Sequence, residues 1–285
     1  MYADLHIHSA FSDGTDSPSE VVSLAEKAGL KVISIVDHDT VDGIKGYDKG
    51  SAKDLRLIPG VEITLIVERA NIHILGYCID TDNKELNHYL EDNCADITYN
   101  TRVNFENAAI REGFCHKYGW EQVLDPFPNL HRISGMHVIM SMQINKFNLK
   151  DIEPWDLYKK YFKPDSHHFL PPAEKSAKEA IDIIKKAGGV PIVAHPKLIC
   201  DDTTVMALLD DGALGLEVFH PSHGDEDIKK YRRIVNEKRL LLTGGSDWHG
   251  ENNPYGSRPL GTCGMPDQNF AVFTVFDKIE ALRKK

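Results

Sequence analysis

Apolar residues gather along this chain in short runs. Those at residues 2–7, 31–36, 56–62, 72–79, 190–194, 215–219, 240–243 and 271–275 are rich in β-branched side chains and bounded by Gly, Pro or Asp, the pattern of buried parallel strands. Helical periods lie between several of them. Ser17 stands where it can cap a helix with Pro18 in its first turn, Val21, Leu24 and Ala28 on one face, and Gly29 as its stop. Residues 175–187 place Ala180, Ile183, Ile184 and Ala187 on one face before Gly188 and Gly189, and residues 225–238 form another helix, basic in its second half. The stretch from 86 to 169 differs: it lacks strand runs, has weaker helical periods at 93–112 and 136–146, and is broken by Pro126, Pro128, Pro154 and Pro164. The pattern predicts an α/β scaffold from residues 1–85 and 170–285, interrupted by a small helical insertion at 86–169. No fixed-period repeat or low-complexity tract is present.

Composition narrows the class. The 285 residues are 41% hydrophobic and 27% charged, which excludes disordered and fibrous proteins. No run approaches the roughly 20 apolar residues of a membrane helix, and the N-terminus lacks the basic and apolar regions of a secretory signal, so a cytoplasmic protein is expected. Cys78, Cys94, Cys115, Cys200 and Cys263 are odd in number and widely scattered, which suits reduced thiols. A formal charge of −10, with dispersed Lys and Arg, argues against a long nucleic acid as partner. A short phosphorylated molecule remains compatible if metal ions supply positive charge. The sequence sets no oligomeric state.

The 14 histidines change the picture. The first predicted strand ends in His6-Ile7-His8, with Asp13 beyond it. The second ends in Asp37-His38-Asp39 and the third in Gly60-Val61-Glu62. His73 lies in the fourth, and later strands run into His195, into Glu217 and His220, and into Asp247-Trp248-His249. Strand ends of a parallel barrel converge on one face, where catalytic sites are built. Residues two apart in a strand point the same way, so His6 and His8 can chelate one ion, and Asp247 and His249 repeat that spacing. Imidazoles and carboxylates without thiolates suit Zn, Mn or Fe. Burying so many ionisable groups is costly unless they share a task.

These motifs, in this order, resemble the PHP (polymerase and histidinol phosphatase) family. The resemblance rests on Asp4-Leu5-His6-Ile7-His8-Ser9, Ser12-Asp13-Gly14, Asp37-His38-Asp39-Thr40, Gly60-Val61-Glu62-Ile63, His73-Ile74-Leu75-Gly76-Tyr77, Ala194-His195-Pro196, Gly215-Leu216-Glu217-Val218 and Gly245-Ser246-Asp247-Trp248-His249-Gly250. It is closest to the stand-alone bacterial phosphoesterase branch, which carries a helical insertion. It implies a distorted (β/α)7 TIM-like barrel around three divalent metal ions. His6, His8, Glu62 and Asp247 would hold the first ion; Glu62 would bridge to a second, completed by His73 and His195; Asp13, His38 and His249 would hold the third. The activity implied is hydrolysis of a small phosphorylated metabolite, a phosphomonoester or a linear or cyclic phosphodiester, by a hydroxide formed between the cations that share Glu62. His220 and His223 are candidates for protonating the leaving group or gripping phosphate. Asp37 and Asp39 suit orienting His38 or capping a turn as well as ligation.

Substrate-binding charges must come from loops and the insertion, where Arg102, Arg132, His137, Lys197 and Arg258 are the candidates. Nucleotide-hydrolysing members of the family tend to read Gly-Arg-Pro-His where this chain has Ser134-Gly135-Met136-His137. The histidine is kept and the arginine is not, which leaves Arg132 as a substitute or points to a different ester. Two alternatives to a phosphoesterase are a metal-dependent amidohydrolase or deacetylase, and a non-catalytic metal-binding scaffold.

Overall fold

The computed structural model describes residues 1–285 except 46, 48–54, 68, 150–151, 173, 252, 255–257, 269 and 284–285. Strand β1 (Ala3–Ile7) is buried along its whole length and leads into helix α1 (Pro18–Lys27). There the Ser17 hydroxyl accepts the Glu20 N–H, and the Glu20 carboxylate accepts the Ser17 N–H at 2.7 Å, a reciprocal cap worth about 1 kcal/mol. Val21, Val22 and Ala25 seat the helix on the core. Next come β2 (Val32–Ile35), the short α2 (Asp42–Lys45), β3 (Arg56–Leu57), β4 (Gly60–Val67) and β5 (Ala70–Tyr77). The predicted strand at 56–62 is thus two strands, interrupted at Ile58-Pro59. Proline lacks an N–H for the ladder and restricts the residue before it.

Helices then take over: α3 (Lys84–Arg111), α4 (Trp120–Leu124), α5 (Gly135–Ile144) and α6 (Pro154–Tyr161). Phe105, Phe114, Tyr118, Val138, Met142 and Leu157 form an apolar cluster of their own among these helices. The chain continues through α7 (Ala177–Lys186), β6 (Val190–Val193), a 3-10 turn (Pro196–Ile199), α8 (Asp202–Asp210), β7 (Gly215–Phe219), α9 (Asp225–Lys238), β8 (Leu241–Gly244) and α10 (Ala271–Arg283). The predicted strand at 271–275 is therefore the first part of α10. Val272, Phe273 and Phe276 are buried at helical spacing, a stripe that the five-residue apolar run was too short to reveal. Among the described residues, no helix is long and apolar enough to cross a membrane.

The fold is mixed α/β, but the strands do not form one closed parallel barrel. They pair as a parallel sheet β1-β2-β3 and a sheet β4-β5-β6-β7-β8, and β5 runs antiparallel to both of its neighbours. The cause is local. Two residues separate β4 from β5, enough for a hairpin, whereas a parallel connection needs a dozen or more. The sheets meet through isolated bridges, Ile7 with Trp248 and His38 with Glu62. At the first bridge the Asp247 N–H donates to the His6 carbonyl at 2.9 Å. Gly245 permits that approach, because a Cβ there would lie 2.3 Å from the His6 Cβ.

Candidate active site

Both junctions between the sheets carry ionisable side chains. His6 lies in β1 and His8 just past it; Asp37, His38 and Asp39 follow β2; His195 follows β6; His220 follows β7; Asp247 and His249 follow β8. Glu62 is the third residue of β4. His73 sits inside β5, opposite Thr64, because a reversed strand presents its earlier residues to the face where the other strands end. Asp39, His195 and Asp247 have φ of 55°, 23° and 54°, a left-handed conformation that costs a residue other than glycine about 1–3 kcal/mol and gathers at functional sites.

Glu62 is the centre of the arrangement. Its Oε2 lies 3.2 Å from His6 Nε2, 3.1 Å from His8 Nε2 and 3.3 Å from His38 Nδ1. Its Oε1 lies 2.9 Å from His73 Nδ1 and 3.1 Å from His195 Nε2. Asp247 Oδ1 is 3.3 Å from both His6 Nε2 and His8 Nε2. A further set, His8, Asp13, His38 and His249, also brings its donor atoms within 4.8 Å of one another. Burial pushes the Glu62 carboxyl up, but the His6, His73 and His38 imidazoles outweigh it and hold it well below the usual carboxylate range. Burial likewise pushes His8 down, yet Asp247 and Glu62 hold it at about 10.

This donor set fits divalent metal ions. His6 Nε2 and His8 Nε2 face each other at 3.2 Å, as do His73 Nδ1 and His195 Nε2, and nitrogens so aimed need a proton or a cation between them. Ligand atoms about 3.3 Å apart at the corners of a tetrahedron lie about 2.0 Å from its centre, the length of a zinc–imidazole bond. The structure therefore brings together His6, His8, Asp13, His38, Glu62, His73, His195, Asp247 and His249.

The neighbouring acids hold the frame. Asp37 accepts the Ser9 N–H at 2.7 Å and the Ser9 and Ser12 hydroxyls at 2.6 Å, so it fastens the turn that carries Asp13. Asp39 accepts the Thr64 N–H at 2.9 Å and the Asn93 amide at 2.7 Å, and pairs with Arg132 Nε at 2.8 Å. Asp4 accepts the Ser246 N–H at 2.9 Å and the Gly261 N–H at 2.7 Å. Glu217 touches His6 and the backbone of His195, each at 2.9 Å. Asp4 and Glu217 stand in the sequence motifs, but the sequence assigns neither a role. Their only signal is a carboxylate in the middle of an otherwise apolar strand.

The five candidate substrate residues separate. Arg132 is buried, donates to Thr64 Oγ1 at 3.2 Å, and lines a cavity with Asp13, His38, His73, Tyr158 and Phe162. Arg102 is exposed and paired with Glu106 one turn along α3. Lys197 is paired with Asp227 at 2.6 Å, and Arg258 is an exposed neighbour of Cys263; none of these three lines that cavity. His137 is buried with both nitrogens engaged. Its Nδ1 accepts the Ser134 N–H and its Nε2–H donates to the Ser12 carbonyl, both at 3.0 Å, so it fastens α5 to the loop after β1. Burial holds it down at about 4.

A histidine kept neutral by the fold adds stability above its unfolded value of about 6.5, and that stability is lost as pH falls towards 4. Acid titration followed by thermal unfolding should show a loss of about 3 kcal/mol from this group. His137→Gln should remove that part of the slope; an unaltered profile would count against it.

His220 and His223 differ in tautomer. The Ser222 N–H donates to His220 Nδ1 at 3.1 Å, which leaves the proton of a neutral ring on Nε2, 3.3 Å from Asp247 Oδ2. His223 donates from Nδ1 to the Val218 carbonyl at 2.8 Å, so its Nε2 is an acceptor, and burial holds the ring below the usual imidazole range.

The PHP domain model matches residues 4–187. The chain belongs to the PHP family. A relative from Eggerthella lenta, phosphoribosyl 1,2-cyclic phosphate 1,2-diphosphodiesterase, is 25% identical over 88% of this chain and 95% of its own. The 5'-3' exoribonuclease Rnm of Salmonella typhimurium is 30% identical over 86% of this chain and 84% of its own. Among solved structures, one described as a metal-dependent phosphoesterase from Bifidobacterium adolescentis is 27% identical, covers 94% of this chain and 93% of its own, and superposes with a TM-score of 0.77. This PHP protein is a metal-dependent phosphoric ester hydrolase. Cleavage of phosphate esters, rather than amides, is what these relatives share.

Proposed function

We propose that this PHP protein hydrolyses a small phosphate ester, a monoester or a linear or cyclic diester, held between the Glu62 cluster and the helices α3–α6. The observation that carries this reading is Glu62 itself, one buried carboxylate within 3.3 Å of five imidazoles. His6, His8, Glu62 and Asp247 would hold one divalent ion, Glu62, His73 and His195 a second, and Asp13, His38 and His249 a third, drawn from Mn, Fe or Zn. Ions bound there supply a lowered water pKa and neutralise phosphate charge. Arg132, the buried cation of the cavity, binds and orients the ester. His220, with its proton on Nε2, donates a hydrogen bond that grips a phosphate oxygen, while His223 steadies that loop through its Nδ1–H bond to the Val218 carbonyl.

The same reading treats residues 1–85 and 170–285 as the metal-holding unit and 86–169 as the substrate-covering one, which the separate apolar cluster of the helices supports. It takes β1, β2 and β4 to β8 as a distorted seven-stranded ring, which the bridges at Ile7 and His38 support. A charge of −10 favours a small ester over a long polymer. A second reading, in which the ester is the end of a short single-stranded RNA, is favoured by Trp155 and Tyr158. Their rings stack 5.0 Å apart at 12° beside the cavity, a surface of the kind on which bases stack.

The test is hydrolysis of a phosphomonoester, a linear diester, a cyclic diester and a short RNA by Mn-loaded protein, with metal content measured on the same sample and Asp247→Ala as control. Metal-dependent turnover of one ester class, lost in the variant, is expected. No turnover of any of them at full metal content would sink the proposal.

A further inference from the structure

Glu217 is not among the nine residues gathered above, yet it is fully buried in β7, touches two of them, and with His6 and His220 forms a group whose donor atoms lie within 4.8 Å of one another. Its Oε1 lies 2.9 Å from His6 Nδ1, and its Oε2 accepts the His195 N–H at 2.9 Å. We propose that Glu217 is the positioning residue of the Glu62-bridged pair of ions, orienting the His6 ring for one and the backbone under His195 for the other. The inference rests on the metal-centre reading above.

His6 turns Nε2 towards His8, Glu62 and Asp247, so its ring proton belongs on Nδ1. A carboxylate at that nitrogen fixes the tautomer, stops the ring from rotating and makes Nε2 a stronger donor to a cation. At the other oxygen the task is conformational. His195 has φ 23° and ψ 61°, and the bond from its N–H to Glu217 ties that unfavourable backbone to the neighbouring strand. One rigid side chain thus sets the distance between an imidazole on β1 and an imidazole after β6. Asp37 and Asp39 touch neither residue, and no contact joins Glu217 to Asp13, His38 or His249 among the described residues.

The effect should therefore be selective. Wild-type protein and Glu217→Gln are stripped with a chelator and titrated with zinc alone against a competing chelator. Zinc content is read by mass spectrometry, and the melting temperature of each metal-free protein is recorded. Two zinc equivalents should bind about 10–100-fold more weakly in the variant, with the remaining equivalent and the metal-free melting temperature near wild type. Unchanged affinities overturn the proposal. A uniform weakening of every equivalent, with a lower metal-free melting temperature, overturns it in favour of a merely structural role. Wild-type protein that holds fewer than two zinc ions overturns the metal-centre reading itself, and this inference with it. A second measurement does not need the variant to fold: zinc-loaded wild-type protein should show a downfield, slowly exchanging imidazole N–H resonance from His6 Nδ1, and its absence overturns the proposal.

Discussion

Glu62→Gln should abolish ester hydrolysis, lowering kcat/KM by about 10³-fold or more, equivalent to about 4 kcal/mol of transition-state stabilisation. The substitution changes almost no volume and removes one charge. That charge is the point on which His6, His8, His38, His73 and His195 converge. A neutral amide offers one acceptor oxygen and an NH2 group that cannot ligate, so it cannot serve imidazoles on both sides. Metal content and activity should fall together, measured by mass spectrometry and steady-state kinetics on one preparation. Full metal content with wild-type kcat/KM would falsify the bridging role.

Arg132→Ala should lower stability and substrate affinity together. The guanidinium is buried and paired with Asp39 at 2.8 Å. Removing one partner of a buried pair leaves the other uncompensated, at a cost of about 3–5 kcal/mol. Asp39 keeps two N–H donors, from Thr64 and Asn93, which places the expected loss at the low end, about 3 kcal/mol. For a chain of this size that is a fall of roughly 6–12 °C in Tm. Because Arg132 also lines the cavity, KM should rise by about tenfold or more, the loss of one charge-assisted contact. Arg132→Lys keeps the charge without the planar fork and should recover stability better than KM. An unchanged Tm in Arg132→Ala would refute the buried pairing.

Much of this was legible in the sequence, for reasons that mark out the parts that were not. His6, His8, Glu62 and Asp247 announce themselves because carboxylates and imidazoles at the ends of apolar runs have no other economical explanation. The helix at 225–238 matches α9 residue for residue, since an acidic first turn and a basic last turn mark its ends. Strand direction was not legible: nothing in 72–79 says that β5 runs backwards, and only the two-residue link to β4 implies it. Nor could charge alone tell Arg132, which reaches the cavity, from Arg102, whose partner lies one helical turn away on the surface. What separates them is the fold, which buries Arg132 against Asp39 and Thr64 and leaves Arg102 exposed beside Glu106. His137 shows the same limit from the other side: a histidine retained from a family pattern is spent here on two backbone hydrogen bonds.

The order of the clustered histidines and carboxylates along the chain also governs when they can assemble during synthesis. His6 and His8 emerge from the ribosome 241 residues ahead of Asp247 and His249. At about 5–20 residues per second, the first pair waits on the order of ten seconds or longer for the last. Until then β1 lacks the partner that meets it at Trp248, and the nascent chain presents only fragments of the ligand set. On the metal-centre reading, metal capture therefore follows synthesis of Asp247 and His249 and is coupled to the closure of one sheet against the other, and a product truncated before Asp247 would lack a complete centre.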